Sequence, residues 1–276
     1  MPPLDPQFDQ QMMRHAIDLA IRGRGRVEPN PTVGCVITRD RTILGEGCHA
    51  EFGAAHAEPA ALVDCRESPE GGTAYVTLEP CSHENKKTPP CVPRLIEARL
   101  ARVVVGCRDP NPLVNGRGID QLRQAGIRVD TPCLESACRQ LIAPFIARIR
   151  HNRPYITLKW AQTADGKIAG SAGMPLRISN ARSNAAVHDL RARSDAILVG
   201  INTVLNDNPL LTARGIADPR PLLRLVVASN LRIGPDSQLA RTAAGDVLVF
   251  HSATAARPEA LRSTGITCIP VAETSP

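Results

Sequence analysis

Apolar positions Phe8, Met12, Met13, Ala16, Ile17, Ala20 and Ile21 recur at helical spacing, and Gly23 and Gly25 close the pattern, so the chain is expected to open with a helix. Val33–Thr38 and Ile43–Cys48 then read as strands about an Arg39-Asp40-Arg41 turn. Ala57–Cys65 is expected as a helix, Thr73–Leu78 as a strand, Cys91–Leu100 as a helix and Arg102–Gly106 as a strand. Gly118–Ala125 (helix), Ile127–Val129 (strand) and a helix over Glu135–Ile149 complete a first part, which ends at His151-Asn152-Arg153-Pro154. Strands alternating with helices predict a layered α/β domain with a largely parallel sheet. A second part opens with the β-rich run Tyr155–Lys159. It continues with a helix over Ala181–Arg193 and strands at Ala196–Gly200, Leu223–Ala228, Val247–Phe250 and Ile266–Val271. Two domains are thus expected, 1–150 and 151–276, with neither internal repeats nor low-complexity tracts.

Composition narrows the class. Hydrophobic residues make up 43% and charged residues 22% of 276 residues, which is ordinary globular usage. No apolar run approaches the roughly 20 residues of a membrane span, and Met1–Gln11 carries no apolar segment of a secretory signal, so a cytoplasmic protein is expected. Of 33 basic residues only Lys86, Lys87, Lys159 and Lys167 are lysines, and the arginines are dispersed. With aromatics at 3%, the net charge of +6 suits small anionic substrates better than nucleic acid. Nine cysteines without an export signal fit a reducing compartment, where they fill cores or bind metals.

The strongest chemical signal is His56-Ala57-Glu58, followed by Pro80-Cys81 and then Cys91. One imidazole and two thiolates give Zn2+ three protein ligands and leave a fourth position for water. Zinc lowers the pKa of such a water from ~15.7 toward ~7. Glu58, too close to His56 in sequence to join the same tetrahedron readily, is placed to carry a proton from that water to a ring nitrogen and then to departing ammonia. The His-x-Glu…Pro-Cys arrangement is the signature of zinc deaminases. Two other readings stand beside it: buried core thiols with a satisfied histidine, and a closed structural site with His83 as fourth ligand.

Pro29-Asn30-Pro31-Thr32-Val33-Gly34-Cys35-Val36-Ile37, His56-Ala57-Glu58, Thr77-Leu78-Glu79-Pro80-Cys81-Ser82-His83 and Thr88-Pro89-Pro90-Cys91 together closely resemble the bifunctional riboflavin-biosynthesis deaminase–reductase family. Asp109-Pro110-Asn111-Pro112 and Gly116-Arg117-Gly118 extend the resemblance. The long Cys81–Cys91 gap separates the chain from nucleic-acid deaminases with a C-x-x-C spacing. Past the boundary, Arg153-Pro154-Tyr155, Asp165-Gly166-Lys167, Leu190-Arg191-Ala192, Asp195-Ala196-Ile197-Leu198-Val199-Gly200 and Leu211-Thr212 look like the family's reductase half.

The resemblance implies a cytidine-deaminase-like three-layer α/β/α domain followed by a dihydrofolate-reductase-like α/β domain. It implies zinc-dependent deamination of a diaminopyrimidinone ribosylamine 5′-phosphate, then NADPH reduction of the product's ribose to a ribityl chain. It carries Asn30, His83 and Lys87 over as contacts of the first substrate, and Arg191, Leu211 and Arg214 as contacts of the second. Ala161, Thr203, Asp207 and Ser229 match cofactor positions.

The sequence also departs from the family. The Cys81–Cys91 segment is slightly longer than usual, and Gly173–Ser179 replaces a common serine and tryptophan. Residues 151–276 contain no Gly-Gly pair and no Gly-x-Gly, where family reductases carry a Glu-Gly-Gly segment. The second domain is therefore expected to be incomplete, truncated before that segment, and reduction lost or impaired. The rival readings are a nucleic-acid-editing deaminase and a non-catalytic zinc-bearing pathway scaffold. Neither a membrane nor a nucleic-acid partner is expected, and a homo-oligomer is left open.

Overall fold

The computed structural model describes residues 5–83, 89–112, 114–171, 174, 176–256 and 258–272. The chain divides into two compact units, Met1–Thr157 and Leu158–Pro276, a few residues beyond the expected boundary.

The first unit is a five-stranded sheet between two layers of helices. Its strands are β1 (Gly34–Arg39), β2 (Thr42–Cys48), β3 (Thr73–Leu78), β4 (Arg102–Cys107) and β5 (Arg128–Asp130), in the order β2-β1-β3-β4-β5. β1 pairs antiparallel with β2 and β3, whereas β3–β4 and β4–β5 are parallel. The central strands are apolar on both faces, as a sheet covered on both sides requires. Cys35, Ile37, Ala74, Val76, Val103 and Val105 pack beneath α2 (Ala57–Asp64), α3 (Cys91–Glu97) and α4 (Arg117–Gln124). Val36, Tyr75, Val104 and Cys107 pack on the other face against α1 (Pro6–Ile21) and α5 (Glu135–Leu141). Asp5 caps α1 by accepting from the backbone N–H groups of Gln7 and Phe8. Arg102 ties the sheet to α1, donating to both Asp9 oxygens at 2.8 and 2.7 Å and to Asp130 at 2.6 Å.

The second unit carries a parallel sheet of β6 (Ala196–Gly200), β7 (Leu223–Val227), β8 (Val247–Ser252) and β9 (Ile266–Val271), in sequence order. α7 (Ala181–Ala192) precedes it, and α8 (Ile201–Asp207) and α9 (Gln238–Thr242) follow β6 and β7. Its core gathers Val204, Val226, Leu231, Leu239, Val249 and Leu261. Arg224 lies within that core, 2% exposed, with its guanidinium fully bonded. It grips both Asp246 oxygens at 2.8 and 2.9 Å, Thr242 Oγ1 at 2.9 Å and the carbonyls of Thr242 and Leu210 at 2.9 and 3.1 Å.

Two expectations are corrected. Tyr155–Lys159 forms no strand, and residues 154–163 run unpaired with Tyr155, Ile156, Leu158 and Trp160 exposed. β-branched and aromatic content makes a strand only where a neighbouring strand supplies hydrogen bonds, and none of the described strands pairs with it. The single helix expected over Glu135–Ile149 is two, α5 and α6 (Ala143–His151), broken at Ile142 with Pro144 in the first turn of the second. The short helices α8 and α9 were not anticipated.

Removing Asp246 strands a buried guanidinium, so Asp246→Ala should lower stability by about 3 kcal/mol, whereas Arg224→Met, which removes the charge itself, should cost less. Urea unfolding of both variants checks the order. Arg224 holds the Asp246 carboxyl below its ordinary value. The pair's contribution is therefore complete above the ordinary carboxylate range near ~3.9 and fades as pH falls through the lower folded value.

Candidate metal centre and active site

The strand directions bring one end of the first sheet into service. Asn30 precedes β1, His49 follows β2, Cys81 follows β3 and Asp109 follows β4, so antiparallel β1 and its neighbours deliver all four to the same edge. α2 starts at this edge with His56 as its N-cap. It lies flush on β2 because Gly45 and Gly47 leave room: a Cβ at Gly47 would collide with the backbone of Ala57 and Ala61.

His56 Nδ1 lies 3.6 Å from Cys81 Sγ and 3.3 Å from Cys91 Sγ. One donor atom from each of the three residues falls within 4.8 Å of the others. Tetrahedral zinc with Zn–S near ~2.3 Å and Zn–N near ~2.0 Å sets its ligands roughly 3.5–3.8 Å apart, so the set fits that ion. Among the described residues neither His83 nor Glu58 joins the group. Cys81 is held from α3: the Cys91 N–H donates to Cys81 Sγ at 3.3 Å and to Cys81 O at 3.0 Å. Cys91 is the first residue of α3, where amide groups favour an anionic sulfur.

His56 and Cys81 border a cavity of about 340 Å3, lined also by Asn30, His49, Phe52, Glu58, His83 and Asn111. Glu58 is 3% exposed. Burial first, then the Cys81 sulfur, raises its carboxyl from 4.5 to about 7. A carboxyl poised near neutrality can both take and return a proton. His83 lines the same cavity, while Lys87 lies outside the described residues.

Two residues that sequence reasoning did not single out shape this site. Glu79, 3% exposed, accepts backbone N–H bonds from Asp109 at 3.2 Å, Gly116 at 2.9 Å and Gly118 at 3.0 Å. It thereby fastens the 109–118 loop beside Cys81. Gly118 is required there, because a Cβ would strike the Pro80 carbonyl. His49 bonds Ala55 O at 3.0 Å through Nδ1 and Asn30 Nδ2 at 3.2 Å through Nε2. Neither role has a local signature, since each depends on segments distant in sequence.

In the second unit Arg191 donates to Thr212 O at 3.2 Å, and the Arg214 N–H donates to His188 Nδ1 at 3.2 Å. Burial, then the charge of Arg214, depresses Arg191, and no carboxylate is paired to either among the described residues. Leu211, buried at φ 56°, adjoins Thr212. Thr203 and Asp207 lie on α8 after β6, and Ser229 follows β7, at carboxyl ends of adjacent parallel strands where α/β sheets commonly receive ligands. Ala161 lies in the unpaired 154–163 segment, ahead of these elements.

Purified protein should carry about one zinc per chain, and Cys81→Ser or Cys91→Ser should abolish it. Metal analysis of the two variants, with chelation lowering the Tm of the parent, checks this.

Comparison with known proteins follows this division. Residues 6–107 match the family model described as the cytidine and deoxycytidylate deaminase zinc-binding region, and residues 154–271 match the RibD C-terminal domain. The chain is 39% identical over 260 residues to the riboflavin biosynthesis protein RibD of Aquifex aeolicus (strain VF5), covering 94% of this chain and 73% of that protein. It is 48% identical over 224 residues to the RibD of Escherichia coli (strain K12), covering 81% of this chain and 61% of that protein. Among solved structures, Acinetobacter baumannii RibD (form 1) matches with a TM-score of 0.80 at 34% identity, over 97% of this chain and 75% of that one. A Thermotoga maritima diaminohydroxyphosphoribosylaminopyrimidine deaminase/5-amino-6-(5-phosphoribosylamino)uracil reductase matches with a TM-score of 0.81 at 38% identity, over 95% and 74%. With this likeness running through both units, the chain belongs to the RibD family of riboflavin biosynthesis proteins.

Proposed function

We propose that the first unit hydrolytically deaminates a diaminopyrimidinone ribosylamine 5′-phosphate, namely 2,5-diamino-6-(5-phosphoribosylamino)pyrimidin-4(3H)-one. The observation that carries this reading is the placement of Glu58 beside the His56–Cys81–Cys91 group, on a cavity with room for a pyrimidine. Zinc held by His56, Cys81 and Cys91 supplies the Lewis acidity that makes water a nucleophile near neutral pH. Glu58 takes a first proton from the attacking water and passes it to the ring nitrogen, then carries the second proton from the added hydroxyl to the departing amino group. The C–N bond breaks, a carbonyl replaces it, and ammonia leaves. Asn30 and His83 contact the ring or ribose from the cavity wall, and Lys87 serves the phosphate as a point charge.

The second unit is assigned the companion step, NADPH reduction of 5-amino-6-(5-phosphoribosylamino)uracil to the ribitylamino form. Arg191 and Arg214 suit the substrate phosphate, since planar guanidinium groups bond it bidentately, and Leu211 borders them. Thr203, Asp207, Ser229 and Ala161 are the cofactor contacts. Zinc stays in the first unit, and NADPH belongs to the second.

Glu58→Ala should retain zinc while ammonia release falls by about 10²–10⁴-fold, the usual worth of a positioned acid–base group. Unchanged turnover overturns the proton-transfer role. Salt-sensitive RNA binding, read by gel shift at two salt concentrations, would favour a nucleic-acid substrate instead. Arg191→Ala together with Arg214→Ala should weaken phosphate-bearing substrate in the second unit, followed by NADPH oxidation.

A further inference from the structure

Asn30 offers the cavity an amide, and an amide can present either an acceptor or a donor depending on which way it is turned. Its neighbour decides. His49 is 2% exposed, and its Nδ1 sits 3.0 Å from the Ala55 carbonyl. A carbonyl oxygen only accepts, so Nδ1 carries the proton. In the neutral ring Nε2 is then an acceptor, and the Asn30 atom 3.2 Å away must be the Nδ2 donor. That leaves Asn30 Oδ1 without a partner among the described residues, on a residue that lines the cavity. The His49 ring is held from a second side by His56, edge to face at 5.3 Å between centroids.

We infer that His49 is a positioning residue that fixes the Asn30 amide with Oδ1 toward the cavity, so that the site selects a substrate group that donates a hydrogen bond: a ring N–H, an amino group or a ribose hydroxyl. The relay runs Ala55 carbonyl, His49 and Asn30, and its outer end is a specificity element for substrate binding rather than for the bond-breaking step. This inference rests on the deaminase reading for its kinetic consequence, though not for its geometry.

Two measurements test it, both on the full chain loaded with zinc. Long-range proton–nitrogen correlation spectra should show the His49 ring protonated on Nδ1 and bare on Nε2. A ring protonated on Nε2 overturns the inference, and this readout needs neither substrate nor a variant. In a double-mutant cycle, Asn30→Ala and His49→Phe should each raise KM by about fivefold, the worth of one hydrogen bond, with a smaller change in kcat and unchanged zinc content. The double variant should be no worse than Asn30→Ala alone, because His49 acts only through Asn30. Effects that multiply in the double variant overturn the inference, since a merely structural histidine would add its own penalty. If His49→Phe does not fold, the tautomer decides. If the parent releases no ammonia from any pyrimidine, the deaminase reading fails while the tautomer still upholds or overturns the relay.

Discussion

Two sulfurs and an imidazole nitrogen, drawn together at the carboxyl end of β3, are the constraint around which the first unit is arranged. Such donors repel one another as anions and gain little from one another as neutral groups. The Cys91 thiol shows the tension: the Cys81 sulfur and burial both push its proton affinity well up. A dication resolves this by replacing protons with a single charge shared among three ligands. Everything nearby serves to hold the donors at that spacing. Glycines on β2 let α2 lie close, the start of α3 fastens Cys81, and the covered sheet keeps bulk water from the far side.

The same sheet explains why binding groups from scattered segments meet. A strand reversed relative to its neighbour exchanges its beginning for its end, so the residues before β1 and after β2 share an edge with those after β3 and β4. Asn30 and His49 are thereby brought together although nineteen positions separate them. In the second unit the strands all run one way, and the loops after β6 and β7 gather at one edge by a simpler rule.

Much of this was legible in the chain itself, for physical reasons. The layered α/β character followed from alternating strand and helix patterns, and the donor set from residue types whose chemistry is narrow. The β-rich Tyr155–Lys159 run misled because strand propensity does not include a partner, and Pro144 announced a break that an apolar pattern concealed. Glu79 and His49 stayed hidden for a different reason. Their bonds reach backbone and side chains that only the folded sheet brings near, whereas Lys87 lies outside the described residues.

Glu79 has one more implication. All three of its bonds from the 109–118 loop come from main-chain N–H groups, so the anchor is indifferent to which side chains that loop displays. Gly118, whose lack of a Cβ is needed, Gly116, whose φ of 92° favours glycine, the buried Val114 and Asp109, whose carboxylate accepts the Asn111 N–H, are constrained, while exposed positions such as Asn115 and Arg117 are not tied to the anchor through their side chains. The exposed stretch of a loop beside the cavity is thus open to evolutionary retuning without loosening the anchor that holds it.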